Sequence, residues 1–179
     1  MGRRKTIDRN HVLEIAEEIV SLQGANKLTI DAVAKAAGIS VGGVQSCFKT
    51  KEILIESMLE RWMDKYEQDL TAKIPENQAK FPELFAHIDL TLNSDMASHL
   101  KAASLLTRLV SSPEHLTQIQ QWYRKRLSGI DCSTVEGQQA RIAFLATEGL
   151  LFLKFYGLVD LDESEFASLS RGILALVPH

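Results

Sequence analysis

The sequence predicts an all-α fold, with a three-helix helix-turn-helix unit followed by a longer helical body. Apolar residues recur at three- and four-residue spacing from Val12 near the start to Leu176 near the end. No stretch alternates apolar and polar residues as a strand would, and the prolines fall at boundaries between the periodic stretches. Near the front, Gly38 separates two short apolar-faced stretches, where a left-handed residue would turn the chain sharply.

The front of the chain reads helix by helix. Gly2 to Ile7 is short and basic, with Arg3, Arg4 and Lys5 in a row. Two readings of it are open, a solvated tail and an arm that reaches phosphates or the adjacent minor groove. Asp8 caps a first helix whose stripe is Val12, Ile15, Ala16, Ile19, Val20 and Leu22, and Gly24 ends it. Thr29 caps a second helix, with Asp31 in its first turn and Ile30, Val33, Ala34 and Ala37 on one face. Ser40 caps a third, to which Val41, Val44 and Phe48 give apolar contacts. Two short helices about a tight glycine turn are the signature in which the second lies in the DNA major groove.

That geometry assigns roles. Val41 meets a thymine methyl, and the Gln45 amide pairs with adenine. Ser46 is a generic donor or acceptor, and Cys47 packs or faces the groove. Gly42 and Gly43 each cost about 1 kcal/mol of helix propensity against Ala, which fits a backbone that comes close to the sugar-phosphate chain. Lys49, Thr50 and Lys51 gather at the next helix start, where free N–H groups favour a phosphate, and Lys51 clamps the DNA backbone. The predicted DNA-binding set is Arg3, Arg4, Thr29, Ser40, Val41, Gly42, Gly43, Gln45, Ser46, Lys49 and Lys51.

Ala37-Gly38-Ile39-Ser40-Val41-Gly42-Gly43-Val44, followed by Phe48-Lys49-Thr50-Lys51-Glu52-Ile53-Leu54, resembles the DNA-binding segment of the tetracycline-repressor (TetR) family. The likeness reaches back to Val12. Gly43 stands where the family most often has Thr, and Gln45 and Cys47 stand where it commonly has aromatic residues. The resemblance implies a DNA-binding transcriptional regulator, a repressor released from a palindromic operator by a small-molecule effector. It divides the chain into a helix-turn-helix DNA-binding domain at 1–51 and an all-helical effector-binding and dimerisation domain at 52–179. It also gives the helix after Lys51 the task of transmitting effector binding.

That helix is predicted over Lys51 to Lys73, with Leu54, Ile55, Met58, Leu59, Trp62, Met63, Tyr66 and Leu70 at helical spacing, and Pro75 closes it. Further helices are expected over Phe81–Asn93, Asp95–Ser112, Pro113–Leu127 and Ser133–Gly157, the longest, and finally Glu163–Val177. In TetR-like proteins the last two helices form the dimer interface. Here Leu145, Gly149, Leu150, Leu153 and Phe155 with Phe166, Leu169, Ile173 and Leu176 are the candidates, and Ala146 and Gly149 allow close approach.

Composition bounds the chemistry. Up to Lys51 eight basic residues stand against five acidic ones, a net +3, while the remainder carries −6 of the overall −3. A basic front on an acidic body suits a DNA reader on a body that avoids DNA. Cys47 and Cys132 have no metal-ligand or disulfide spacing, and no leader or membrane span is evident, so the expected place is the cytoplasm. His87, His99 and His115 read as ordinary polar-face histidines, with Glu83 four residues before His87. No catalytic residue, metal site or cofactor is predicted, since neither a nucleophile elbow nor a glycine-rich phosphate loop is present.

The aromatics are the better lead. Trp62, Tyr66, Phe85, Trp122, Phe144, Glu148 and Phe152 form the predicted ligand-binding set for an apolar or aromatic effector, with Glu148 on the Phe144–Phe152 stripe. A carboxylate among apolar residues either meets a cationic ligand or pairs with Arg141 or an arginine of a partner subunit. The predicted partners are therefore double-stranded operator DNA, a second copy of the chain and this effector, with no membrane. Two alternatives stand beside that reading: a DNA-binding dimer without effector, and a helical enzyme or carrier with a degenerate helix-turn-helix.

Overall fold

The structure is a computed structural model, and it describes residues 7–74, 80–94 and 113–178, with side chains of the last stretch described from 116 onward. The predicted helix 95–112, the Pro75 boundary, Arg3, Arg4 and His99, and the side chain of His115, lie outside the described residues. Every regular element among the described residues is helical. They are α1 (Arg9–Gln23), α2 (Ile30–Ala36), α3 (Val41–Cys47), α4 (Lys51–Lys73), α5 (Pro82–Asn93), α6 (Pro113–Leu127), α7 (Val135–Phe155) and α8 (Glu163–Ala175), with a 3₁₀ turn at Ala25–Lys27.

The local signals set these boundaries. Asp8 accepts from the backbone N–H groups of Asn10 and His11, Thr29 from Ala32, Ser40 from Gly43 and Thr134 from Gly137. Each such cap is worth about 1 kcal/mol. Gly38 has φ 64°, and around it Ile39 N–H donates to Ala34 O and Gly38 N–H to Lys35 O, a paired closure that satisfies the last carbonyls of α2. Gly157, at φ 63°, ends α7 in the same way. Because Thr134 and Gly157 cut it at both ends, α7 has 21 residues and α4, with 23, is the longer helix, against expectation. Asp162 and Glu165 close a reciprocal capping box at the start of α8.

Contacts divide the chain into two compact units that meet in sequence inside α4, between Asp64 and Lys65. The first unit packs Val12, Leu13, Ala16, Ile19 and Val20 of α1 with Leu28, Val33, Ala34, Val44, Phe48, Leu54, Met58 and Leu59, all buried. Short helices such as α2 and α3 are marginal alone, so this shared core holds them. Arg61 ties α4 to α1 through Glu14 and the carbonyl of Asn10. The second unit is built on Leu84, Ile88, Leu92, Ile130, Ala140, Ala143, Phe144, Ile173 and Val177.

Candidate functional site

In the first unit, α3 and the residues that flank it are two-faced. Val44 and Phe48 are fully buried, whereas Val41, Gly42, Gln45, Ser46 and Lys49 are exposed, as are Thr29 and Ser40, and Lys51 is half-buried. The exposed side is polar and small, the arrangement that lets a helix enter a groove and present side chains to base edges. Gly42 has open space where a side chain would be, so its backbone is the approachable one. Gly43 is buried instead, and a Cβ there would lie 2.8 Å from Cδ1 of Ile7. The hydroxyl of Ser46 donates to Gly43 O at 2.7 Å, a bond that competes with any contact to DNA. Arg9 is turned to the fold: its guanidinium lies 4.6 Å from the Phe48 ring centroid and donates to Ser57 Oγ at 2.8 Å.

In the second unit, α4, α5, α6 and α7 converge on a polar cluster walled by aromatic rings. Tyr66 Oη lies 2.7 Å from both His87 Nδ1 and Thr91 Oγ1. On its other side, His87 Nε2 is 3.1 Å from Glu148 Oε1, while Tyr123 Oη donates to Glu148 Oε2 at 2.9 Å. Burial, with the Glu148 charge beside it, pushes the Tyr123 phenol far above its usual range, and burial does the same to Tyr66. Both therefore keep their protons at neutral pH. Tyr66, His87 and Glu148 thus form one continuous chain of hydrogen bonds from α4 through α5 to α7. Rings enclose this chain of bonds: His87 stacks on Phe144 at 5.2 Å, and Trp122 meets Tyr66, His87 and Tyr123 edge-on at 5.5, 5.8 and 5.0 Å.

A second carboxylate lies beside the first. Glu67 accepts from Trp122 Nε1 at 2.9 Å, from Lys125 Nζ at 3.3 Å, and from Arg126, whose guanidinium also lies over the Trp122 ring at 4.4 Å. Partial burial works against its charge, but Arg126 and Lys125 outweigh it and hold the Glu67 carboxyl below the ordinary value. Glu67 is thus neutralised twice. Among the described residues, Glu148 is met by His87 and Tyr123, and no arginine or lysine is bonded to it.

The cluster brings Tyr66, Trp122, Phe144 and Glu148 together. Phe85 packs against the apolar core of the same unit, Trp62 falls in the first unit, and Phe152 is 55% exposed with its ring 4.6 Å from Tyr156. Glu148 pairs, but with His87 and Tyr123 rather than Arg141. His87, read from the sequence as a polar-face histidine, is 1% exposed. The signal for it was present: Leu84, His87, Ile88 and Thr91 share one helical stripe, all buried. Of the residues expected to join two copies, Phe166, Leu150 and Ile173 pack into the unit's own core, whereas Leu145, Leu153, Leu169 and Leu176 stay exposed beside Ile142 and Tyr156.

Comparison with known proteins follows this division. Residues 12–58 match the family of bacterial regulatory proteins named for tetR, and residues 83–178 match the tetracyclin repressor-like C-terminal domain. The chain belongs to the TetR family. No curated protein matches the sequence itself. A transcriptional regulator from Rhodococcus sp. Rha1 superposes with TM-score 0.71 at 19% identity, over 96% of each chain. A TetR-family member from Streptomyces coelicolor A3 gives 0.67 at 14% identity, over 96% of this chain and 98% of that one. The multidrug binding protein EbrR complexed with malachite green gives 0.64 at 17% identity, over the same shares. At such identities the likeness is one of fold. No helix among the described residues is long and apolar enough to cross a membrane.

Proposed function

We propose that this TetR-family chain is a ligand-responsive repressor that binds a palindromic operator as a homodimer and leaves it when an effector occupies the second unit. The observation that carries the DNA reading is the split of α3 and its C-cap into a buried side, Val44 and Phe48, and an exposed side, Val41, Gly42, Gln45 and Ser46. Residues 1–51 read DNA, and residues 52–179 bind effector and dimerise. One recognition helix spans a few base pairs, and two-fold pairing sets a second one about 34–36 Å away. Ile142, Leu145 and Leu153 on α7, Leu169 on α8 and Leu176 just after it are exposed, and they are the apolar surface available for that pairing.

The effector class follows from the cluster. Aromatic faces around a carboxylate that no arginine or lysine among the described residues meets suit a flat aromatic cation. EbrR has been captured with malachite green and with ethidium, both aromatic cations, and that supports the same chemistry here. A cation at Glu148 competes for the oxygen that His87 holds, and His87 is bonded to Tyr66 on α4, the helix shared by both units. Effector thereby favours one state of α4 over another, a population shift.

The test is fluorescence anisotropy with DNA flanking the coding region, against scrambled duplex. Specific binding reversed saturably by ethidium supports the reading. A Glu148→Gln variant should need about tenfold more ethidium, the equivalent of one lost charge contact of about 1.4 kcal/mol. Equal binding to all sequences would leave the chain without an operator and sink the proposal. Specific binding untouched by aromatic cations would favour a DNA-binding dimer without this effector.

A further inference from the structure

The seven-residue α3, with two glycines, is too short to hold its own pose, so its orientation is set by what its buried side rests on. That support is Val44 and the Phe48 C-cap, both wholly buried. A side chain from another helix covers the Phe48 ring. Arg9, the first residue of α1, has its guanidinium 4.6 Å from the ring centroid, and the same group donates to Ser57 Oγ of α4 at 2.8 Å. Ser57 is itself buried. Arg61 answers from α4: it donates to the carbonyl of Asn10, next to Arg9, at 3.3 Å and pairs with Glu14 at 3.2 Å. The first turn of α1 is therefore tied to α4 in both directions, and one tie runs over the residue that ends α3. A flat guanidinium can stack on a ring and donate from its edge at once, which an ammonium cannot.

We infer that Arg9 is a positioning residue for base readout: bonded to Ser57 and laid over Phe48, it fixes the angle at which α3 presents Val41 and Gln45. The inference rests on the DNA-binding reading above. Arg9 is one of the eight basic residues of the front, and on charge alone it would be a phosphate contact. Its guanidinium is spent on the fold instead. The distinction has a consequence for binding. Base-edge hydrogen bonds need side chains placed to within about 0.5 Å, whereas attraction to phosphates acts over about 8 Å. Loosening the tie thus costs sequence discrimination and leaves general affinity for DNA in place.

The test uses the full-length chain with a duplex from the DNA flanking the coding region and its scrambled counterpart, by anisotropy across a salt series. Ser57→Ala decides, because it removes no charge and its side chain is buried. Ser57→Ala and Arg9→Met should each lower the ratio of flanking to scrambled affinity about fivefold. The salt slope on scrambled duplex should hold in both, and the double variant should lose no more than either single one. Arg9→Lys keeps the charge but not the flat group, and should fall with Arg9→Met. Ser57→Ala should melt close to the parent, since the exposed Arg9 turns its freed donor to water, so a loss of fold cannot mimic the effect. An undiminished ratio in Ser57→Ala, or full discrimination in Arg9→Lys, overturns the positioning role. So does a slope on scrambled duplex lowered by about 0.9 per protomer in Arg9→Met, which is that of a lost phosphate contact. If the parent itself does not favour the flanking duplex, the operator reading fails and takes this inference with it. A parent that discriminates while the variants match it sinks this inference alone.

Discussion

The two units place their polar residues in opposite ways. In the first, the interior is almost purely apolar, from Val12 to Leu59, and the polar residues of α3 face outward. In the second, His87, Thr91, Arg126 and Thr147 are buried, and a carboxylate from α7 reaches a histidine on α5 and a tyrosine on α6. A surface reader needs side chains free to meet an outside partner. A body that responds to a small molecule needs internal bonds that can be exchanged for bonds to that molecule. The contrast teaches that stability and function are separable in the first unit and entangled in the second.

The largest expected effect breaks the second unit alone. A Cβ at Gly137 would lie 1.9 Å from Asp131 O and 2.7 Å from its carbonyl carbon. Those are backbone atoms fixed by the Thr134 cap and cannot step aside, so Gly137→Ala should cost about 3 kcal/mol in urea unfolding. Tyr66→Phe comes next. It strands the Nδ1 of His87 and the hydroxyl of Thr91 in a buried place, an expected loss of about 1–2 kcal/mol by the same method. Ser40→Ala removes one cap and should cost about 1 kcal/mol, with the whole loss felt by the first unit. Gly42→Ala, which meets only open space, should gain up to about 1 kcal/mol of helix propensity while weakening DNA binding. If Gly42→Ala lowered stability as Tyr66→Phe does, the separation claimed for the first unit would be wrong.

Acid sharpens the same contrast without a large energy. Glu67 has its carboxyl held below the ordinary 4.5, since Arg126 and Lys125 outweigh the cost of its partial burial. A depressed folded-state value adds stability that is complete above the unfolded value and fades as pH falls through the folded one. Below about pH 4.5 the melting temperature of the parent should therefore drop faster than that of Glu67→Gln, whose amide does not titrate. Parallel curves for the two proteins would remove Glu67 from the account.

How much of this was legible in the sequence depends on how local each cause is. Asp8, Thr29, Gly38 and Ser40 act on backbone groups a few residues away, and the structure has them where the spacing put them. The cluster in the second unit joins residues 66, 87, 123 and 148 on four helices, and no fixed spacing announces it. Aromatic residues on separate helices gave a partial signal, which gathered Tyr66, Trp122, Phe144 and Glu148 but also took in Trp62 and Phe152. His87 escaped because its polar name outweighed its place on an apolar stripe. Nothing local marks Gly137 as a contact with residue 131, since that depends on how the chain before α7 arrives.

The chain has two tryptophans, one in each unit. Trp122 has its indole N–H on Glu67, a guanidinium over its ring and His87 beside it, while Trp62 belongs to the first unit. Indole emission shifts with the charge and polarity around the ring, so the molecule carries an optical reporter in each half. A Trp62→Phe protein would glow only from the second unit and a Trp122→Phe protein only from the first. The two together would reveal whether a dye entering one half is felt in the other, and in which order, on the timescale of a stopped-flow trace.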